Sequence, residues 1–68
     1  PAAATVRLTQ RQTDVLKLIA TGESNKQIAR ELDLSPATIK AHIAAAIAAL
    51  GAANRTEAVV KAREMSLI

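Results

Sequence analysis

The chain has 68 residues, a formal net charge of +3 and a pI near 10.0, and half of its residues are apolar although none is aromatic. A chain this short folds as one small domain, and with no cysteine and a single histidine it can form neither a disulfide nor an ordinary zinc site. We therefore expect no metal and no cofactor. The charge favours a polyanionic partner, although a small basic excess is also common in ordinary domains.

The beginning of the chain carries no periodic apolar pattern. We interpret residues 1–7 as a linker remnant or flexible arm and residues 8–68 as the folded domain. No apolar stretch reaches the roughly 20 residues of a membrane span, and PAAAT lacks the regions of a signal peptide. We expect a cytoplasmic protein without membrane contact. The start at a proline suggests a fragment of a longer chain.

The first helix is predicted from a capping pair. Thr9 with Gln12 three residues later is typical of a capping box, and Leu8 can pack onto the helix as a hydrophobic staple. The apolar stripe of this helix consists of Val15, Leu16 and Ile19. Gly22 ends it, because glycine accepts the left-handed conformation of a helix stop.

Three further helices follow the same rules. Ser24 with Gln27 predicts a short second helix, Ser35 followed by Pro36 begins a third that runs to Leu50, and Asn54 with Glu57 begins a fourth that reaches about Met65. Their inner residues are Ile28, Ala29 and Leu32 in the second helix, and Ala58, Val59 and Ala62 in the fourth. No strand pattern occurs, so the fold class is all-α with four helices.

The second and third helices are joined by Asp33 and Leu34, which is the spacing of a helix-turn-helix. Asp33 stands where many such turns have glycine, and aspartate tolerates positive φ better than most residues. Spacing alone leaves two interpretations open, DNA binding or a plain corner of a helical bundle.

The third helix has two chemically different faces at about 100° per residue. Its core stripe consists of Ile39, Ile43, Ala46, Ile47 and Leu50. Its outer face consists of Ala37, Ala41, Ala44, Ala45 and Ala48. Lys40 and His42 lie on the two flanks, and Thr38 lies near the outer face at the start of the helix.

Several separated motifs together resemble the DNA-binding domain of LuxR/FixJ-type bacterial transcriptional regulators. They are Leu8-Thr9 with Arg11, Val15-Leu16, GESNKQIA from residue 22, LSPATIKAH from residue 34, LG at 50–51 and NRTEAV from residue 54. The resemblance implies a four-helix helix-turn-helix domain, related to winged-helix folds but without a wing. It also implies a third helix in the DNA major groove and a fourth helix that forms homodimers.

The resemblance further implies a bacterial regulator whose upstream part is a receiver or small-molecule-sensing domain. Double-stranded DNA with a two-fold operator is then the expected partner, and RNA polymerase is a further one. Nothing in the chain indicates an enzyme, because the single histidine has no cysteine, no convincing Ser-His-Asp arrangement and no glycine-rich phosphate loop around it.

Phosphate contacts are expected at the starts of the second and third helices. Ser24, Asn25 and Lys26 stand where unpaired N–H groups and the helix dipole favour an anion. Thr38 is placed similarly, and the resemblance gives it a phosphate contact and His42 a supporting one. His42 is equally well explained as a flank histidine bonded to its own domain or to water.

Arg55 has two interpretations. It is either a phosphate clamp at the start of the fourth helix or a structural partner for a carboxylate such as Glu31. Arg7, Arg11 and Arg30 are weaker candidates. Arg11 is expected to pair with a nearby acid, and Arg30 to be a solvated surface residue.

Base contacts are expected to be few. The resemblance assigns Lys40, Ala41 and Ala44 to base edges, yet paired hydrogen bonds to guanine or adenine need Arg, Asn or Gln. Alanine contacts only a thymine methyl group, so we expect weak base discrimination supported by DNA shape. The alanines are equally explained as good helix formers at solvent-facing sites.

The fourth helix carries a second surface, formed by Thr56, Val60, Arg63 and Glu64, which suits a small two-fold interface. A single exposed valine is also normal without a partner. The rival hypothesis to DNA binding is a protein-interaction module of the same fold that pairs with another regulator and silences it, and the alanine face favours that hypothesis.

Overall fold

The computed structural model describes residues 6–68, and it consists of four α-helices in this part of the chain. They are α1 (Gln10–Ala20), α2 (Asn25–Leu32), α3 (Pro36–Leu50) and α4 (Arg55–Glu64). The predicted all-α class with four helices is confirmed, and the end of α4 differs from the prediction by one residue. Residues 1–5 of the predicted arm lie outside the described residues. Val6 is half-buried against the core, and the domain boundary at residue 8 stays a prediction.

The predicted caps begin all four helices. Thr9 and Gln12 form a complete capping box on α1, and Ser24 and Gln27 form one on α2. On α3 the Thr38 backbone N–H donates to Ser35 Oγ at 3.1 Å, and Pro36 occupies the first turn. On α4 the Glu57 N–H donates to Asn54 Oδ1 at 2.9 Å. Each cap satisfies an N–H that the helix itself leaves unpaired, so local chemistry fixes where each helix begins.

The four helices also end in the same way. After each helix one residue adopts positive φ, and the next backbone N–H donates back to a carbonyl five residues earlier, which is the Schellman motif. The positive-φ residues are Gly22, Asp33, Gly51 and Ser66. Asp33, at φ 56°, makes the sharp turn between α2 and α3, as the sequence predicted.

The interior consists of two clusters of buried residues. We call the first the HTH core, because it joins α1 to the two helices of the helix-turn-helix, and it consists of Val15, Ile28, Ala29, Ile39 and Ile43. We call the second the α4 core, because it joins α1 and α3 to α4, and it consists of Leu16, Ala46, Leu50, Ala58, Val59 and Ala62. Ile19 and Ile47 are half-buried and pack against both clusters, so the two cores are continuous.

The predicted inner positions are confirmed, and they differ in how completely they are buried. Ile39 and Ala46 are fully buried, whereas Ile47, predicted as part of the same stripe, is half-buried. Leu32 and Leu34 pack at the edge of the HTH core, where they close the corner between α2 and α3.

Among residues 6–68, no single helix combines the length and apolar character needed to cross a bilayer. The pair α3 and α4, bent by 54°, meets that test jointly by length and composition alone.

Candidate nucleic-acid interface

The outer face of α3 is covered by small side chains. All five alanines predicted to face outward are exposed, namely Ala37, Ala41, Ala44, Ala45 and Ala48. The opposite stripe is buried, since Ile39 has no exposed surface and Ile43 is 7% exposed. With no long side chain on this face, another molecule can approach the α3 backbone closely.

The polar residues of α3 lie beside this face. Lys40 is exposed, and His42 and Thr38 are half-buried. The Thr38 hydroxyl shares a hydrogen bond of 2.8 Å with Ser35 Oγ, so the two hydroxyl groups form a pair at the start of the helix. Sequence reasoning treated Ser35 only as a cap, although its hydroxyl lies at the same exposed helix end as Thr38.

The start of α2 holds the next group of predicted residues. Ser24 and Lys26 are exposed, and Asn25 is half-buried as the first residue of the helix. Neither α2 nor α3 has an acidic residue in its first turn, although acids are the residues that usually stabilise this end of a helix. The positive ends of both helices are therefore left without a negative side chain of their own in the first turn.

Arg55 reaches this group from α4. Its Nη1 donates a hydrogen bond of 2.6 Å to Asn25 Oδ1, and the contact is partly buried. The predicted alternative of an ion pair between Arg55 and Glu31 is wrong. The ion pairs in residues 6–68 are Arg11–Asp14 at 3.9 Å, as expected for Arg11, and Lys61–Glu57 at 3.7 Å. A neutral amide, not a carboxylate, accepts from Arg55, and the bond joins two residues that were predicted separately.

Glu31 instead lies beside Glu23. A hydrogen bond with the Glu23 carboxyl group raises the pKa of Glu31 above its usual value, and partial loss of hydration and repulsion between the two charges add to the effect. Glu23 also accepts a hydrogen bond of 3.0 Å from the Thr21 hydroxyl. This pair places negative charge on the surface of α2 and has no counterpart in the predicted site.

The predicted interface residues of α4 are all exposed. They are Thr56, Val60, Arg63 and Glu64. Val60 is 49% exposed, and Met65 just after the helix is 45% exposed, so these two are the large apolar side chains most open to solvent in residues 6–68. The apolar centre proposed for a two-fold contact is therefore available on the surface.

Sequence reasoning missed the role of Lys61. Its ammonium group donates to the Gly51 carbonyl at 3.0 Å and pairs with Glu57, which in turn accepts from the Ala53 N–H at 3.0 Å. These contacts fasten the start of α4 to the end of α3. The signal in the sequence is the i, i+4 spacing of Glu57 and Lys61, which predicts their pairing but not the contact with Gly51.

Known proteins resemble this chain over most of its length. The family model for bacterial regulatory proteins of the luxR family matches residues 6–62. The HTH-type transcriptional regulator MalT of Vibrio campbellii (strain ATCC BAA-1116) is 52% identical over 58 residues, and so is MalT of Yersinia pestis (strain Pestoides F). The match covers 85% of this chain and 6% of either MalT, so the chain spans a small part of the length of these relatives.

Two solved structures share the fold. The transcription factor GerE superposes with a TM-score of 0.84 at 29% identity, covering 87% of this chain and 88% of GerE. The response regulator ChrA of a heme-sensing two-component system gives a TM-score of 0.88 at 38% identity, covering 94% of this chain and 32% of ChrA. The first likeness spans nearly all of both chains, and the second places the same fold within a larger regulator.

Proposed function

Because the chain belongs to the luxR family of bacterial regulatory proteins and has the helix-turn-helix fold of its DNA-binding domains, we propose that it binds double-stranded DNA with α3 in the major groove. The work of the domain is then to bring a transcriptional regulator to a promoter in the bacterial cytoplasm. The observation that carries this proposal is the division of α3 into a buried isoleucine stripe and an exposed face of alanines. A major groove about 12 Å wide admits a helix, and small outward side chains let it enter deeply.

Phosphate groups are bound beside the groove in this proposal. Ser24, Asn25 and Lys26 supply donors at the start of α2, and Thr38 does so at the start of α3 with Ser35 beside it. The absence of acids from both first turns supports this role, because a bound phosphate supplies the negative charge that those helix ends lack. His42, on the flank of α3, assists the phosphate contact of Thr38. Arg55 lies next to Asn25.

Base recognition is weak in this proposal. Lys40 is the one long donor close to the outer face of α3, and Ala41 and Ala44 offer methyl groups to thymine. The remaining preference for sequence comes from the shape and deformability of the DNA.

Two copies bind a two-fold site in this proposal. The exposed surface around Val60, with Thr56, Arg63 and Glu64, forms the contact between them. One such patch is small, so we expect pairing on DNA and not in free solution. RNA polymerase is the further partner expected of a regulator bound at a promoter.

A salt series with random duplexes tests the proposal. If basic side chains, Lys26 and Lys40 among them, neutralise about four phosphates per copy, a pair of copies neutralises about eight, and the slope of log affinity against log salt is about −7. Lys26→Ala lowers the affinity for all sequences alike and makes the slope shallower by about 1 per copy. A parent slope of about −2 contradicts this set of contacts.

A second function follows if no duplex is bound at low salt. The domain then acts as a protein-interaction module that pairs with another regulator and silences it, and the exposed alanine face of α3 is the observation that favours it. Selection of bound sequences from a random library separates the two functions, because a regulator recovers a two-fold motif and an interaction module recovers none.

A further inference from the structure

The hydrogen bond between Arg55 and Asn25 joins two helix ends that are distant in the sequence. Asn25 is the first residue of α2 and Arg55 is the first residue of α4, thirty positions later. The 2.6 Å distance between Nη1 and Oδ1 and the partial burial of the contact make it a structural feature of the site.

The chemistry of the two groups fixes which half of the Asn25 amide faces outward. A guanidinium group has only donors, so the amide oxygen of Asn25 must face Arg55. The NH2 group of Asn25 is then directed away from Arg55. A phosphate oxygen is an acceptor, so an amide held in this orientation presents the half that a phosphate binds, whereas a free amide can rotate and present its oxygen instead.

The position of Arg55 within α4 gives no reason for a cation at this place. A cation at the first position of α4 lies at the positive end of the helix dipole, where charge of this sign destabilises the helix. Its contact with Asn25 supplies the missing reason.

We propose that Arg55 is a positioning residue that holds the Asn25 amide so that its NH2 group donates to a DNA phosphate. This inference rests on the proposed DNA binding and refines it. It replaces the hypothesis in which the Arg55 guanidinium binds a phosphate directly.

The two roles differ in their dependence on salt. A cation bound to phosphate releases a counterion, so its loss makes the slope of log affinity against log salt shallower by about 0.9 per copy. A neutral amide bound to phosphate releases none. Removing Arg55 as a positioning residue therefore weakens binding while leaving the slope close to that of the parent chain.

The experiment compares Arg55→Met, Asn25→Ala and the double variant on a duplex that the parent chain binds. Methionine keeps much of the stem of Arg55 but removes its charge and its donors. We expect a three- to tenfold loss of affinity, about the net effect of one ordinary hydrogen bond, with the parent's slope. The double variant should bind no worse than Asn25→Ala alone, because Arg55 acts through Asn25.

Two control variants calibrate the salt slope. Lys26→Ala removes a proposed phosphate contact beside Asn25, and Lys17→Ala removes an exposed charge on α1. The slope of Arg55→Met should match that of Lys17→Ala. A slope as shallow as that of Lys26→Ala, or a loss that adds fully to that of Asn25→Ala, overturns the inference while leaving DNA binding intact.

A measurement on the free domain tests the hydrogen bond itself. The side-chain NH2 signals of Asn25 in nuclear magnetic resonance should report an ordered amide in the parent and a mobile one in Arg55→Met. If Arg55→Met does not fold, Arg55→Lys takes its place, because the ammonium ends about one bond short of Nη1 but keeps the charge. Equal amide mobility in parent and variant overturns the inference, and failure of the parent to bind any duplex overturns the proposed function along with it.

Discussion

The two cores of the domain are filled by different side chains. Four of the five residues in the HTH core are valine or isoleucine, whereas three of the six in the α4 core are alanine. Large branched side chains pack between α1, α2 and α3, and their close packing restricts the angles between these helices. Alanines let α3 and α4 approach closely, and the contacts of Lys61 add polar fastening there. The HTH core, next to the proposed DNA surface, is therefore held by large branched side chains, whereas the α4 core combines leucine, valine and alanine with polar contacts at its edge.

The largest effect is expected when one side chain in each core is truncated to alanine. Ile39→Ala should lower the free energy of unfolding by about 3–4 kcal/mol, because it leaves a cavity in a fully buried site. Val59→Ala should cost about 1–2 kcal/mol, since it deletes less volume at a site that is 8% exposed. Urea unfolding followed by circular dichroism measures both, with equal m-values as the check that only stability has changed. Equal losses from the two variants would show that the α4 core is packed at least as tightly as the HTH core, because Val59→Ala deletes fewer carbons.

The next prediction compares two lysines, Lys40 beside the proposed DNA surface and Lys61 in the α4 half, in order to separate DNA recognition from stability. Lys40→Met should reduce discrimination at the bases it contacts by about 1 kcal/mol, the low end for a base contact, and should leave the melting temperature unchanged, because its side chain is exposed. Selected sequences from a random duplex library measure the first effect. If every affinity falls equally, Lys40 contacts a phosphate and not a base.

Lys61→Met is the matched variant in the α4 half. It should lower stability by about 1 kcal/mol or less, because the ammonium donates to the Gly51 carbonyl and pairs with Glu57 at the surface. The selected sequences should remain those of the parent chain. A changed sequence preference would place Lys61 at the DNA and would break the division between the two halves.

The sequence predicted the parts of this structure that depend on near neighbours. Caps such as Ser24 with Gln27 act within one turn, and the apolar period of α3 places Ile39 inward whatever else the chain does. Contacts between distant residues were not predictable in the same way. The sequence singled out both Asn25 and Arg55, and for Arg55 it offered a phosphate or a carboxylate as the partner. It did not predict their contact, because which helix ends meet is decided by tertiary packing.

The sequence did not predict the division of the interior into two cores, and the reason is again tertiary packing. Val15 and Leu16 are neighbours in one stripe of α1, but they belong to different clusters because α2 and α4 cover different sides of that helix. The roles of individual site residues stay predictions, since they depend on contacts with DNA and not on the fold alone.

A smaller effect on stability is expected at the positive-φ residues that follow the helices. Each half of the domain has one such residue that is not a glycine. Asp33→Gly at the turn of the helix-turn-helix should raise stability by about 0.5 kcal/mol, because aspartate already tolerates positive φ. Ser66→Gly after α4 should raise it by about 1 kcal/mol, since serine at φ 59° tolerates this conformation less well. Thermal unfolding of both variants shows which substitution stabilises the domain more. A gain at Asp33 larger than that at Ser66 would mean that strain is stored in the turn between α2 and α3.

The smallest effect is expected from the carboxyl pair on the α2 side, which has no equivalent in the α4 half. The folded-state pKa of Glu31 lies above its unfolded value, so between the two values the folded protein holds more protons and stability falls as pH rises. Glu31→Gln removes this penalty and should raise the melting temperature slightly at about pH 7, with no gain at about pH 3.5. Glu23→Gln should abolish the same pH dependence, because it gives Glu31 a neutral neighbour. A gain from Glu31→Gln that is equal at both pH values would mean that the substitution acts through helix propensity and not through the carboxyl pair.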